Sequence, residues 1–215
     1  MVELSRLDQP ARIGARLRRS LGRRGRVELY FAFDDPNSAV AVIDLAERLV
    51  EYDAVLVLSP VVERGIPDDP AVEEKRRFAI TDAGRLFKRS GLTLRRTEPI
   101  DPARTAFLAE WAATVLPGPA LTKFCVAAMR ELWLTDGEEI DAVRYEELWR
   151  EAFGVEPPTD PKAGAVAVRW NERRMSRRGP YDTPAAWVHG RWWFAHDRLP
   201  RIAERLDELG WRRSP

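Results

Sequence analysis

Two adjacent carboxylates, Asp34 and Asp35, precede a proline in the stretch VELYFAFDDPNSAV, which spans residues 27–40. The first seven residues of this stretch suit a β-strand, and an apolar periodicity typical of a helix begins at Ser38. A carboxylate at that junction can cap the helix and place Pro36 at the first helical position, where proline is most favourable. It can also act as a general base or orient a substrate if burial raises its pKa. Both interpretations of Asp35 remain open, whereas Asp34 is interpreted as a solvated residue or a turn residue.

The other reactive side chains are few. A single cysteine, Cys125, excludes an internal disulfide and a Cys-x-x-Cys redox pair, and its helical spacing predicts a core residue. The two histidines, His189 and His196, are too few and too poorly spaced for a histidine-based metal site. The sequence therefore predicts neither metal chemistry nor dithiol chemistry.

Composition and charge limit the remaining functional classes. The 215 residues are 45% hydrophobic and 32% charged, which fits a globular protein with a substantial core. The sequence has no run of about 18 apolar residues, and its basic start lacks the apolar region of a secretory signal. We therefore expect a cytoplasmic protein without a membrane partner. The arginine-rich arm at 12–26 lacks interleaved aromatic residues, so we interpret it as a solvated, partly helical extension rather than a nucleic-acid site.

The elements that must position these residues follow a distinctive order. The predicted strands are 27–33, 54–58, 185–189 and 192–195. A helix over 38–51 joins the first two strands into a parallel βαβ unit, and the turn at His189-Gly190 joins the last two into a hairpin. Between these units the pattern predicts a block of helices over 71–177, and a final amphipathic helix covers 199–209.

This order is typical of a thioredoxin-like α/β sheet, βαβ followed by ββα, with an inserted all-helical domain. The expected domains are a basic N-terminal extension (1–25), a thioredoxin-like domain (26–70 and 178–212) and a helical domain (71–177).

Four stretches, spread from about 27 to 209, resemble the DsbA-like thioredoxin superfamily. The likeness is strongest to 2-hydroxychromene-2-carboxylate isomerases and kappa-class glutathione transferases. The first two stretches are VELYFAFDDPNSAV, similar to the family's F-x-x-S-P-Y-S segment, and EEKRRFAITDAGRLFKRSGL, similar to K-x-x-Y-x-x-x-D with Phe78 replacing the tyrosine. The other two are RRGPYDTPAAWVHGR, similar to G-x-x-G-V-P-T, and RWWFAHDRLPRIAERL, similar to the W-G-Q-D-R-L ending. The last two, in this order and spacing, are the most specific.

The resemblance implies a site for glutathione or another low-molecular-weight thiol. In the family, a serine before the proline lies near the thiol, at a helix start whose free N–H groups stabilise a thiolate. Asp35 occupies that serine position here, and Ser38 occupies the position of the second serine, so both are candidate catalytic residues. An ionised Asp35 would repel a thiolate about 4 Å away by on the order of 4 kcal/mol at an effective dielectric near 20.

The resemblance also implies binding residues. Lys75 matches a lysine that faces the glycyl carboxylate of glutathione, and Thr183-Pro184 matches a cis-proline segment whose backbone pairs with the cysteinyl part. His196 and Asp197 lie where the last helix begins, which in the family holds the γ-glutamyl end, and Asp197 matches the family's acid. Each residue also has a structural alternative: a solvated lysine, an ordinary proline or a helix cap.

Two functions from different classes therefore remain. The first is a glutathione-dependent isomerase or transferase that acts on a small hydrophobic, aromatic or conjugated carbonyl compound, and the resemblance also implies a homodimer. Lys75, Thr183-Pro184 and Asp197 favour it. The second is a catalytically degenerate thioredoxin-fold protein that serves binding or assembly, which Asp35 favours. The missing cysteines exclude a disulfide oxidoreductase. The identity of the substrate and of the thiol cannot be read from the sequence.

Overall fold

A four-stranded mixed sheet organises the fold in a computed structural model that describes residues 9–137 and 139–213. The strands are β1 (Gly25–Phe31), β2 (Ala54–Pro60), β3 (Ala185–Val188) and β4 (Arg191–Phe194). They lie in the order β2-β1-β3-β4, with β1 parallel to β2 and antiparallel to β3, and with β3 antiparallel to β4. The predicted parallel unit and the predicted terminal hairpin are therefore confirmed.

The helices account for most of the remaining chain. They are α1 (Gln9–Ser20), α2 (Pro36–Arg48), α3 (Val72–Arg89), α4 (Pro102–Ala113), α5 (Pro119–Leu134), α6 (Ala142–Phe153), α7 (Pro161–Arg177) and α8 (Leu199–Glu208). A short 3₁₀ turn, Leu49–Glu51, extends α2. Helices α3 to α7 separate β2 from β3 in the sequence, as the predicted helical insertion requires. Within the described ranges, every helix is too short or too polar to span a bilayer.

The N-terminal arm packs onto the domain through α1. Ala15 is fully buried, and the Arg19 guanidinium donates to the Gly210 carbonyl and lies 5.5 Å from the centre of the Trp211 ring. The predicted helical character of the arm is confirmed, but its predicted solvation holds for only part of the helix. Residues 1–8 of the predicted extension lie outside the described residues.

Aspartate caps start several of the helices. Asp35, Asp101 and Asp160 each precede a proline, and the side chain of each accepts a hydrogen bond from a backbone N–H of the first turn. A cap of this kind contributes about 1 kcal/mol, and proline is favourable just inside the helix start. The Asp-Pro pair of the opening motif is thus a device that this chain uses repeatedly to begin helices.

The two faces of β1 pack against different parts of the molecule, because successive strand residues point to opposite sides. Leu29 and Phe31 belong to the main core, together with Phe33 just beyond the strand. Tyr30 belongs to a smaller cluster on the other face, which includes Met175 of α7. Helix α7 therefore covers the face of the sheet opposite the main core.

A buried glutamate fixes α7 to the sheet. Glu28 of β1 is 1% exposed and forms ion pairs with Arg174 of α7 and with Arg178, the C-cap of that helix, while Arg26 approaches the same carboxylate at 3.6 Å. Arg174 and Arg178 also donate to the Tyr30 hydroxyl, at 3.2 and 3.0 Å. We call these residues the Glu28 network. This network fixes the distance between α7 and β1, the strand that leads to Asp35.

Two further contacts set the positions of the inserted helices. Gly164 of α7 lies so close to α4 that a Cβ atom built on it would stand 2.6 Å from Cβ of Glu110. Nε1 of the buried Trp133, in α5, donates to the Phe33 carbonyl at 3.0 Å. The second contact holds the chain immediately before Asp34.

We expect loss of Arg174 and Arg178 to destabilise the fold more than loss of the Glu28 charge. The double variant Arg174→Met/Arg178→Met leaves a buried carboxylate without its main partners, which costs about 3–5 kcal/mol. Glu28→Gln leaves guanidinium groups whose side chains are 30% and 26% exposed and can bind water, so its cost is about 1–2 kcal/mol. Urea unfolding measures both free energies, and an equal or larger loss for Glu28→Gln would contradict the expectation.

Candidate functional site

A cavity of about 1630 Å³ opens beside the start of α2. Its walls come from that helix start, the segment after β2, helices α3 and α7, and the loop before β3. Of the predicted site residues, Asp35, Lys75, Thr183 and His196 line the cavity. The structure thus brings together residues that lie about 160 positions apart in the sequence.

Asp35 is held by three donors in the cavity wall. Its Oδ1 atom accepts from the Asn37 backbone N–H at 3.0 Å. Its Oδ2 atom accepts from the hydroxyl groups of Ser38, at 2.6 Å, and Thr183, at 3.0 Å. A carboxylate has about four acceptor positions, so Oδ1 keeps one more for a proton or a ligand. Asp35 is a helix cap, as one interpretation predicts, and this role leaves room for the other.

Burial distinguishes Asp35 from the other Asp-Pro caps. Asp35 is 7% exposed, whereas Asp101 and Asp160 lie on the surface. Burial raises the pKa of Asp35, and the adjacent Asp34 raises it further, while Arg64 and the hydrogen bonds from Ser38 and Thr183 act in the opposite direction. A carboxyl group in this environment is suited to accept and release a proton closer to neutral pH.

Asp34 lies in a turn, as one interpretation predicts, but it is buried and ion-paired, so its interpretation as a solvated residue is wrong. Its two oxygens accept from the Arg64 guanidinium at 3.0 and 2.6 Å, which is a bidentate pair. The same guanidinium lies 3.8 Å from a carboxylate oxygen of Asp182, next to Thr183. Arg64 therefore links the two sides of the site. A single arginine after a buried strand carries no sequence signal for such a role.

The loop before β3 completes the wall around Asp35. The Thr183-Pro184 peptide bond is cis, as predicted. The Thr183 N–H donates to the Asp182 side chain at 2.8 Å, so this donor is engaged within the chain. The Pro184 carbonyl accepts from Ala195 at 2.7 Å, which ties the loop to the residue after β4.

The remaining predicted residues have mixed placements. The Lys75 side chain is 62% exposed, and its ammonium group pairs with Asp69, which raises the pKa of Lys75. Ser38 is fully buried and touches Asp35 rather than the cavity. Asp197 lies outside the lining, where its carboxylate is 3.6 Å from Arg198. Helix α8 begins two residues later without a side-chain cap, so Asp197 as a ligand-binding acid stays a prediction.

Two polar atoms at the cavity lack partners within the described part of the chain. Oδ1 of Asn37 and Nδ1 of His196 are buried and make no hydrogen bond there. An unpaired buried polar atom is costly, and in a cavity wall it can be satisfied by a ligand. Asn37 carries no sequence signal of a binding role, because an asparagine after Asp-Pro is typical of any helix start.

Aromatic and apolar side chains also contribute to the lining. Phe78 is 63% exposed, and Tyr181 packs edge-on against Phe194 with ring centres 5.8 Å apart. Ile66 also lines the cavity. These groups provide an apolar surface beside Asp35, as expected of a site for a small organic ligand.

Known structures share this architecture. A 2-hydroxychromene-2-carboxylate isomerase is 17% identical, with a TM-score of 0.63 over 86% of this chain and 95% of that chain. A probable DsbA oxidoreductase from Streptomyces coelicolor is 18% identical, with a TM-score of 0.61 over 89% and 92%. BdbD from Bacillus subtilis is 13% identical, with a TM-score of 0.51 over 86% of each chain. No family profile and no curated protein matches the sequence.

The likeness to these structures shows the fold. The chain adopts a DsbA-like thioredoxin fold with a helical insertion, which confirms the predicted fold class.

We expect Asp35→Asn to become more stable relative to the parent protein as the pH rises. A raised pKa means that folded Asp35 binds its proton more tightly than unfolded Asp35. The stability that the protonated group contributes is complete below the unfolded pKa of about 4 and is lost as the pH rises through the folded pKa. Asparagine keeps the cap and does not titrate.

Urea unfolding of both proteins between pH 4 and pH 8 measures this difference. Each unit by which the folded pKa exceeds the unfolded pKa corresponds to about 1.4 kcal/mol. A difference that stays constant over this range would contradict the raised pKa. If the parent instead becomes more stable relative to Asp35→Asn as the pH rises, the pKa of folded Asp35 is lowered rather than raised.

Proposed function

We propose that the protein is an enzyme that uses glutathione, or another low-molecular-weight thiol, to isomerise or conjugate a hydrophobic aromatic or conjugated carbonyl compound. The observation that carries this proposal is the placement of Asp35. It is a buried carboxyl group with a raised pKa, at a helix start beside a cis-proline loop, in the wall of a large cavity. The similarity of the fold to a 2-hydroxychromene-2-carboxylate isomerase supports the reaction class.

The polar groups of the cavity fit a small peptide thiol. Oδ1 of Asn37 can accept from an ammonium or amide N–H group, and Nδ1 of His196 can form a further hydrogen bond. The Lys75 ammonium group can pair with a ligand carboxylate in place of Asp69. These contacts would orient the thiol, while the free acceptor position on Asp35 would face its proton.

The reaction then depends on where the protein holds that proton. When bound, the thiol would supply a nucleophilic sulfur whose reversible addition moves the electrons of the conjugated double bond onto the carbonyl oxygen, so that this bond can rotate before the carbon–sulfur bond breaks and the double bond is restored. Asp35 accepts the thiol proton at Oδ1, which leaves the carboxyl group neutral and removes its repulsion of the sulfur. In isomerisation, Asp35 returns the proton to the sulfur as the carbon–sulfur bond breaks, so no net proton is consumed. In conjugation, the proton would pass to the product instead, and the thiol is consumed.

The side chains around Asp35 support this proton transfer in two ways. The hydroxyl groups of Ser38 and Thr183 hold Oδ2, so they orient the carboxyl group in both protonation states. Phe78, Tyr181 and the rest of the apolar lining would pack against the body of the substrate and exclude water.

We expect Asp35→Asn to lower turnover about 100-fold, because a positioned general base contributes a factor of about 100 to 10,000. The probe reaction is the glutathione-dependent isomerisation of 2-hydroxychromene-2-carboxylate, followed by absorbance. Calorimetry should find glutathione affinity within about threefold of the parent, since Asn keeps the cap that shapes the site. Asp141→Asn is the matched control, because Asp141 caps α6 on the surface and should leave turnover unchanged.

The variant Asp35→Ser separates the proposal from its alternative. Serine restores the family pattern and remains a good cap, so its stability should change by well under about 1 kcal/mol. If Asp35→Ser is faster than the parent, Asp35 is only a cap and the proton-transfer role is wrong. If neither protein binds a thiol, the protein is a thioredoxin-fold binding or assembly protein instead.

A further inference from the structure

Helix α7 presents three arginines to the cavity. Arg169, Arg173 and Arg177 all line it, and they recur every four residues along the helix. Neighbours at this spacing lie about 6 Å apart along the axis, so the three span about 12 Å. We call them the arginine row.

The arginine row differs from two neighbouring arginines. Arg174 of α7 and Arg178, the residue just after it, both form ion pairs with the buried carboxylate of Glu28. The row, in contrast, forms no ion pair with any carboxylate in 9–137 or 139–213. The favourable effect of a cation on a helix C-terminus falls off within the last turn, so it accounts for Arg177 only.

The acidic groups nearest in sequence or across the cavity do not neutralise the row. Glu172 lies between the row's arginines in sequence, but its carboxylate accepts from the backbone N–H groups of Val62 and Glu63, at 3.0 and 2.8 Å. Asp69 pairs with Lys75. Other acids of the lining, none of them ion-paired with the row among the described residues, are Glu63, Glu74, Asp82 and Asp182.

We infer that the arginine row binds the anionic part of the cavity's ligand, a compound with two or more carboxylate or phosphate groups spread over about 6–12 Å. Guanidinium groups bind carboxylates and phosphates bidentately, so the row would bind an extended polyanion of either kind. The apolar lining at Phe78 and Tyr181 faces the same space, so the ligand joins a hydrophobic body to an anionic chain. This inference rests on the proposed function for its assumption that the ligand is a substrate or its thiol.

Calorimetry with two simple probes tests the arginine row without any thiol or turnover. The probes are inorganic tripolyphosphate and the tricarboxylate tricarballylate, at an ionic strength of about 0.15 M, where the Debye length is about 8 Å. The variant Arg169→Gln/Arg173→Gln/Arg177→Gln should weaken binding of at least one probe on the order of 100-fold, and Arg173→Gln alone about fivefold. Stronger binding of tripolyphosphate indicates a phosphorylated ligand, and stronger binding of tricarballylate indicates a carboxylated one.

The matched control removes the same charge elsewhere. Arg77, Arg85 and Arg89 are exposed on α3 and do not line the cavity. Their triple replacement by glutamine should change binding by less than about twofold, because distant surface charges are screened. Equal weakening by both triple variants, or no weakening by the first, overturns the inference. If circular dichroism shows that the row variant is unfolded, Arg173→Gln decides the question alone.

The two proposals can fail separately, because binding of the probes requires no thiol and turnover requires no probe. Probe binding that depends on the row, in a protein without thiol-dependent turnover, would overturn the proposed function and keep the anion site. Thiol-dependent turnover in a protein whose probe binding is unchanged by loss of the row would overturn the anion site and keep the proposed function.

Discussion

At the start of α2, the two adjacent buried carboxyl groups of Asp34 and Asp35 lie near a single guanidinium group, that of Arg64. The properties of the site depend on this imbalance between two acidic groups and one basic group. Arg64 gives its bidentate contact to Asp34, so Asp35 must be stabilised by a backbone N–H group and two hydroxyl groups. Neutral donors offset the cost of burying a charge less fully than a cation does, which agrees with the raised pKa of Asp35. The contact from Thr183 in turn requires the cis-proline loop to lie against the helix start.

The two interpretations of the opening motif are compatible. Capping uses Oδ1 of Asp35 and a backbone N–H of the first helical turn, whereas the proposed chemistry uses the remaining acceptor position of the same oxygen. The surface caps Asp101 and Asp160 show that the Asp-Pro pair needs no catalytic explanation. What sets Asp35 apart is its burial, and burial depends on the rest of the fold.

Local signals predict this fold well and the site only partly. Strand alternation, helical periodicity and Asp-Pro caps act over a few residues, so the elements and their order are readable from the sequence. The pairing of Asp34 with Arg64 joins residues 30 positions apart. The orientation of the arginine row depends on how α7 is seated on the sheet and on α4. No short sequence pattern encodes either contact, and both became visible only in three dimensions.

Substitution of Gly164 would change the selectivity for ligands, although this residue does not line the cavity. Any side chain larger than hydrogen at this position would meet Glu110 and push α7 away from α4. The arginine row begins little more than one helical turn further along α7, so such a shift would alter the width of the cavity without touching Asp35 or the cis-proline loop. Homologous chains could therefore diverge in the ligands they accept through a helix-to-helix spacing residue, while the proton-handling groups stay the same.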